Sequence, residues 1–88
     1  METKTFVIKN RLGLHARAAA QLVQTSNRFR SDVLVEKEGL EVNGKSIMGI
    51  LMLAAPQGSR ILVTIKGEDQ LDAMAAIGRL IEDGFGED

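Results

Sequence analysis

The sequence predicts an α+β fold of order βαββαβα, in which a four-stranded antiparallel sheet carries three helices on one face. Three observations lead to this prediction. Four segments have the alternation or the β-branched content of strands, apolar residues recur at helical spacing, and turn signals separate these segments. The 88 residues contain no repeat and no linker, so we expect one domain over residues 1–88.

The first half of the chain is predicted to form a strand, a helix and a hairpin. The segment "KTFVIK" has the β-branched and aromatic residues typical of a strand. From residue 16 to about residue 27 a helix is predicted, and its buried face comprises Ala19, Leu22, Val23 and either Ser26 or Asn27. The segment "DVLVEKEGLEVN" alternates on both sides of Glu38 and Gly39, which predicts a hairpin whose glycine adopts a positive φ.

The second half is predicted to end with a strand and a helix. The turn "PQGS" precedes "RILVTIK", in which Ile61, Val63 and Ile65 share one face of a strand. Asp69 is placed to cap a last helix that ends at Gly84. The predicted buried side of this helix comprises Leu71, Met74, Ile77 or Gly78, and Ile81.

The composition excludes several classes of function. The net charge is −1 and aromatic residues make up 3%, so the chain lacks the basic footprint and stacking rings of nucleic-acid binding. With no cysteine and one histidine, we expect no metal and no other cofactor. The N-terminus lacks a signal-peptide core, and the longest apolar run, residues 47–55, is far shorter than the ~20 residues of a spanning helix. We therefore expect a cytoplasmic monomer without membrane insertion.

One motif match points to a different function, nucleotide binding. Gly39, Gly44, Lys45 and Ser46 satisfy G-x-x-x-x-G-K-S, the phosphate-binding loop of nucleotide hydrolases. The residues between the two glycines, "LEVN", alternate as a strand, and a nucleotide hydrolase also needs a larger parallel sheet with a second acidic motif. We therefore interpret this match as coincidence.

The only histidine, His15, lies in "NRLGLHARAAA", where an irregular segment ends and the first helix begins. The backbone N–H groups of Ala16 and Arg17 lack helical carbonyl partners there and, together with the helix dipole, attract anions. We expect a neutral, nucleophilic imidazole, on which a phosphoryl group is stabilised by these N–H groups and by the Arg17 guanidinium. The stretch has no carboxylate to activate water or bind magnesium, so the phosphoryl group waits for an acceptor. This pattern predicts a stoichiometric carrier and not an enzyme with turnover.

The segments "GLHARAAAQLV" and "NGKSIMG" resemble the HPr family, the histidine-containing phosphocarriers of the bacterial phosphoenolpyruvate-dependent phosphotransferase system. The resemblance covers the whole chain and departs from the family pattern at Ala18, where members usually carry proline. It implies an open-faced β-sandwich. It also implies that His15 accepts a phosphoryl group from enzyme I and passes it to IIA proteins or domains in sugar uptake.

Ser46 has two predicted roles. A serine ahead of an apolar run is a common helix N-cap. The resemblance adds regulation, because the matching serine of many HPr proteins is phosphorylated by a kinase, which makes an HPr kinase/phosphorylase a further expected partner. A phosphoserine adds up to two negative charges beside the docking surface, so weaker docking to enzyme I should follow.

The run "IMGILMLAA" that follows is apolar on all sides, although a domain this small cannot bury a whole helix. Ile50 and Leu53 are expected to face the core, which leaves Ile47, Met48 and Leu51 as an exposed, adaptable patch. In the HPr family this short helix forms part of the common docking surface, so the resemblance implies that these three residues contact partners.

Two alternatives remain open. A paralogous carrier of the nitrogen-related phosphotransfer branch has the same chemistry with different partners. A regulatory binding module acting through Ser46 occurs among family relatives that have lost the histidine, and the presence of His15 favours the carrier.

Overall fold

Residues 1–87 are described by a computed structural model in which four strands form one sheet. The strands are β1 (Glu2–Val7), β2 (Asp32–Lys37), β3 (Leu40–Asn43) and β4 (Arg60–Lys66). Their order across the sheet is β1-β4-β2-β3, and every neighbouring pair is antiparallel. Val63 of β4 is paired with Lys4 on one side and Val35 on the other, so β4 lies inside the sheet.

The helices are α1 (Ala16–Ser26), α2 (Ile47–Met52) and α3 (Gln70–Glu82), followed by a short 3₁₀ turn at Gly84–Gly86. The predicted order βαββαβα is confirmed, and the 3₁₀ turn is an addition that the sequence pattern did not indicate. None of the helices in residues 1–87 has the length and apolar character needed to cross a membrane.

The core lies between the sheet and the helices. The predicted β4 face is confirmed, because Ile61, Val63 and Ile65 are all buried while their neighbours alternate outward. On α1 the buried residues are Ala18, Ala19, Leu22, Val23 and Ser26. The buried face of α1 therefore ends at Ser26 and not at Asn27, and it also includes the small Ala18.

The predicted buried side of α3 is partly wrong. Leu71 is 66% exposed, whereas Ala73, Ile77 and Ile81, spaced four residues apart, are fully buried. The buried face of α3 is thus rotated relative to the prediction. Gly78 explains the rotation, because a Cβ at this position would lie only 3.1 Å from the Phe6 ring. The close approach of α3 to Phe6 turns Leu71 toward solvent and leaves Met74 half-buried.

Asp69 occupies the N-cap position of α3, but its side chain does not cap that helix. Instead its carboxylate accepts hydrogen bonds from the N–H groups of Arg30 at 2.9 Å and Ser31 at 3.0 Å, and from the Ser31 hydroxyl. The predicted capping bond is therefore wrong, because the carboxylate finds three donors in the segment before β2.

The hairpin is confirmed, with φ of 51° at Glu38 and 85° at Gly39, the two positive values of a type I′ turn. The segment "LEVN" is strand β3, as the rejection of the phosphate-binding loop requires, and Lys45 Nζ donates to the Phe29 carbonyl at 2.8 Å. Strand β1 starts two residues earlier than "KTFVIK" and ends at Val7. It stops there because the next N–H, on Ile8, bonds to the Ser59 carbonyl in the turn before β4.

Candidate functional site

His15 is the N-cap residue of α1, with extended backbone angles of φ −76° and ψ −179°. The first helical bond runs from the Ala19 N–H to the His15 carbonyl at 2.8 Å, and no side chain caps the helix. The N–H groups of Ala16, Arg17 and Ala18 therefore precede the hydrogen-bonded ladder. The predicted helix start is confirmed, and the proposed anion donors Ala16 and Arg17 lie next to the imidazole.

The loop before His15 is fixed against the segment that follows α2. Gly13 has a φ of 66°, and a Cβ there would lie 2.4 Å from the Ala55 carbonyl oxygen, so only glycine fits this approach. The next residue, Leu14, is buried and donates its N–H to the same carbonyl at 2.9 Å. This contact fixes the position of the residue that immediately precedes His15.

An open depression of about 650 Å³ surrounds the imidazole and is lined by Arg11, Leu12, His15, Ala16, Arg17, Gly86 and Glu87. Arg17 lies in the same depression as His15, as the sequence analysis expected. Arg11, which adds a second guanidinium, and Glu87 were both missed. Arg11 lies within the quoted motif and its charge was the available signal, whereas nothing in the local pattern connects Glu87 with His15.

Glu87 binds the imidazole directly. Its Oε2 lies 2.7 Å from His15 Nε2, and its Oε1 accepts a hydrogen bond from Asn10 Nδ2 at 3.0 Å. The Asn10 bond holds the pKa of Glu87 below its usual value despite opposing desolvation, and His15 and Arg17 act in the same direction as Asn10. An ionised carboxylate can only accept, so His15 Nε2 donates and Nδ1 of the neutral ring keeps its lone pair.

The expectation of a site without a carboxylate is thus wrong for the folded molecule, although it is correct for residues 10–20 alone. The Glu87 side chain is only 14% exposed and both of its oxygens are bonded to protein groups. Glu87 therefore contacts the imidazole through Nε2.

The turn after α3 brings Glu87 to the site. Gly84, Phe85 and Gly86 all have positive φ, of 62°, 58° and 72°. Such angles are strained for a phenylalanine, but its ring is 2% exposed in the core, and this burial offsets the strain. Gly84 ends the helix as predicted, while the return of the chain to His15 was not predicted.

Ser46 caps α2, because its Oγ accepts the Gly49 N–H at 3.1 Å. Beyond it, Ile50 and Leu53 are buried, while Ile47, Met48 and Leu51 are exposed together with Met52. We call these four exposed residues the α2 patch. The structure thus agrees with the predicted exposure, and the role of the patch in docking stays a prediction.

The comparisons with known proteins agree with this geometry. Residues 2–83 match the family described as PTS HPr component phosphorylation site. The phosphocarrier protein HPr of Xylella fastidiosa strain 9a5c is 52% identical over 82 residues, which span 93% of this chain and 92% of that protein. The HPr-like protein Crh of Halalkalibacterium halodurans is 45% identical over 82 residues, spanning 93% of this chain and 98% of that protein.

A solved structure extends the likeness to three dimensions. The crystal structure of HPr-C-His from Thermoanaerobacter tengcongensis superposes with a TM-score of 0.97 at 46% identity, covering 100% of this chain and 99% of that one. The open-faced β-sandwich and the recognition of the family from "GLHARAAAQLV" and "NGKSIMG" are both confirmed. With the family match, this likeness and a histidine at a helix N-terminus, the chain belongs to the HPr family of phosphocarrier proteins of the phosphotransferase system.

Proposed function

We propose that His15 Nδ1 accepts a phosphoryl group from phospho-enzyme I and passes it to IIA proteins or domains in sugar uptake. The observation that carries this proposal is the 2.7 Å contact between Glu87 Oε2 and His15 Nε2. It supports a proton on Nε2 and therefore Nδ1 as the nucleophile. Family membership supports the direction of transfer.

Each transfer exchanges one N–P bond for another bond to phosphorus. The Nδ1 lone pair forms the bond to phosphorus while the bond to the donor histidine breaks, and the donor ring keeps that electron pair. The Ala16 and Arg17 N–H groups, with the Arg17 guanidinium, bind the transferring oxygens, and charge-assisted bonds of this kind are the stronger ones. Arg11 lines the same depression and adds positive charge.

The protein acts as a stoichiometric cytoplasmic carrier without turnover of its own. The depression is open and shallow enough for a partner's phosphohistidine to reach His15, whose side chain is 28% exposed. We propose that Ile47, Met48 and Leu51 of the α2 patch bind enzyme I and the IIA proteins in turn, because exposed methionine and aliphatic side chains adapt to several partners. Phosphorylation of Ser46 by an HPr kinase/phosphorylase would regulate this docking.

Intact-mass measurement after incubation with phosphoenolpyruvate and enzyme I tests the carrier function. Wild type should gain one acid-labile phosphoryl group and lose it to a IIA acceptor, whereas His15→Ala should gain none. Phosphorylation and onward donation by the His15→Ala variant would contradict the proposal.

The same experiment separates the alternatives when several acceptors are used. Transfer to sugar-specific IIA proteins supports the sugar branch, and transfer only to a nitrogen-branch IIA supports the paralogous carrier. A protein that takes up phosphate on Ser46 but never on His15 would be the regulatory module.

A further inference from the structure

Asn10 is buried between the loop before His15 and the C-terminal turn. Its side chain is 1% exposed, and its Nδ2 donates to the Gly13 carbonyl at 2.8 Å as well as to Glu87 Oε1 at 3.0 Å. The turn packs directly on it, because a Cβ at Gly84 would lie 3.8 Å from Asn10 Cβ. One amide group thus joins two segments that are distant in the chain.

The Glu87 carboxylate is divided between two partners. One oxygen accepts from Asn10, while the other accepts from His15 Nε2 at 2.7 Å. The bond from Asn10 is the largest contribution to the lowered pKa of Glu87, so the amide favours the ionised form of this carboxylate as well as orienting it. Asn10 makes no hydrogen bond to the imidazole, and its side chain is connected to a ring nitrogen through Glu87.

We propose that Asn10 is a positioning residue for phosphotransfer, which holds the Glu87 carboxylate on Nε2 so that this nitrogen keeps its proton throughout the reaction. This inference rests on the proposed phosphocarrier function and assigns a role to a residue outside the histidine motif. The retained Nε2 proton matters chemically when the phosphoryl group leaves Nδ1.

When the Nδ1–P bond breaks, its electron pair returns to the ring while the acceptor nitrogen forms the new bond to phosphorus. A ring protonated on Nε2 leaves as neutral imidazole, whereas a ring without that proton would have to leave as an imidazolate anion. The Glu87 carboxylate stabilises the Nε2 proton and the positive charge that the phosphorylated ring carries. Loss of Asn10 should therefore slow both acceptance and donation.

A purely structural role for Asn10 is the competing explanation, because the same amide also closes the loop onto Gly13. Two variants together separate the two roles. Asn10→Ser removes both bonds of the amide, while the loop keeps its backbone bond from the Gly13 N–H to the Asn10 carbonyl at 3.1 Å. The variant Glu87→Gln removes the charge from the other end of the same contact without altering the loop.

The decisive measurement is the tautomer of His15, read from ¹⁵N imidazole shifts in ¹⁵N-histidine-labelled full-length protein at a pH where the ring is neutral. Wild type should carry its proton on Nε2, and both Asn10→Ser and Glu87→Gln should show a mixture of tautomers. Asn27→Ala and Glu82→Gln are matched controls, because Asn27 and Glu82 are exposed and lie outside the depression. An unchanged tautomer in both site variants would overturn the proposal.

Transfer rates with enzyme I complete the test. Each single variant should be about tenfold slower than wild type, and the double variant should be no slower than either, because both act through one contact. A double variant slowed by the product of the two single effects would overturn the claim that both residues act through one contact. A wild-type transfer rate in a folded Asn10→Ser protein would overturn it as well. If wild type itself takes no phosphoryl group, the proposed function fails, while the tautomer still reports whether Asn10 acts on His15.

Discussion

At the scale of single residues, the site depends on the two nitrogens of one imidazole having different surroundings. Nε2 is bonded to Glu87, while α1 begins at the next residue, Ala16. Arg17 lies one position further along α1 and lines the same depression. The role proposed for its charge is to stabilise a phosphoryl group on His15.

Removal of the Arg17 guanidinium should slow phosphotransfer without unfolding the protein. Arg17→Ala loses a charge-assisted bond of about 1.5–3 kcal/mol, which corresponds to roughly a ten- to hundredfold lower rate. Arg17→Lys keeps the charge but not the planar fork and should fall between. The transfer rate is measured by stopping the reaction at successive times and determining the phosphorylated fraction by mass. Arg28→Ala, at a distant position, is the control. A wild-type transfer rate for Arg17→Ala would contradict the proposed role of Arg17 in phosphotransfer.

Ser46 offers a charge change that leaves the helix cap in place. Aspartate caps a helix about as well as serine, so Ser46→Asp should keep the free energy of unfolding, whereas Ser46→Ala should lose about 0.5–2 kcal/mol. Affinity for enzyme I at low salt should show the opposite order, with weaker binding for Ser46→Asp and unchanged binding for Ser46→Ala. Calorimetric titration and denaturant unfolding measure the two quantities. Equal affinity of wild type and Ser46→Asp would contradict the charge argument.

At the scale of elements, the beginning of α1 and the turn after α3 assemble the site together. The helix starts where His15 leaves extended geometry, and the left-handed run around Phe85 reverses the chain so that Glu87 returns to the imidazole. The buried Phe85 ring fixes this turn to the core. The position of Glu87 is thus set by an aromatic anchor two residues before it.

The start of α1 also predicts the effect of restoring the family's proline. The Ala18 N–H precedes the first helical bond, so Ala18→Pro loses no intrahelical bond and should stabilise the fold by ~0.4–1 kcal/mol through the unfolded chain. Phosphotransfer should stay intact, because the proposed donors are the Ala16 and Arg17 N–H groups. Denaturant midpoints and transfer rates test both expectations.

The matched control is Ala20→Pro, two residues further into the same helix. Its N–H falls within the hydrogen-bonded part of α1, so proline there should destabilise the fold by about 3 kcal/mol. A clear loss of stability or transfer in Ala18→Pro would mean that the Ala18 N–H binds the phosphoryl group or that the ring does not fit.

At the scale of the whole molecule, side-chain bonds join segments that lie just beyond the ends of paired strands. Asp69 joins the start of α3 to the chain between α1 and β2, through Arg30 and Ser31. The Ser31 hydroxyl, followed by the Arg30 N–H, lowers the pKa of Asp69 from the usual 3.8. The unfolded chain therefore binds this proton at a higher pH than the folded protein does.

Asp69 should accordingly make stability sensitive to acid. Because the folded pKa lies below 3.8, the stabilisation is complete well above that value and is lost as the pH falls through the lowered folded pKa. Asp69→Asn should lower the denaturant midpoint at pH 7, and its difference from wild type should shrink toward pH 3. Asp72→Asn, an exposed carboxylate on the same helix, should change little at either pH. A difference for Asp69→Asn that stayed constant with pH would contradict the assignment.

The sequence by itself predicted the order of the elements and singled out His15 as the candidate phosphoryl acceptor. Strands, helices and the start of α1 at His15 follow from periods of two and 3.6 residues and from turn chemistry, which depend on near neighbours. The exposure of Ile47, Met48 and Leu51 followed from an apolar run too wide for a small core, whereas that of Met52 was not predicted. Family membership was equally readable, because its motif is a continuous stretch around His15.

Only the tertiary structure decided what surrounds that residue. His15 and Glu87 are 72 positions apart, and Asn10 and Glu87 are 77 apart, so no local period relates them. The rotation of α3 likewise depended on Gly78 meeting Phe6 across the core, and the partners of Asp69 lie 38 and 39 positions away. Such contacts arise from how packed elements bring distant side chains together, and local patterns carry no record of them.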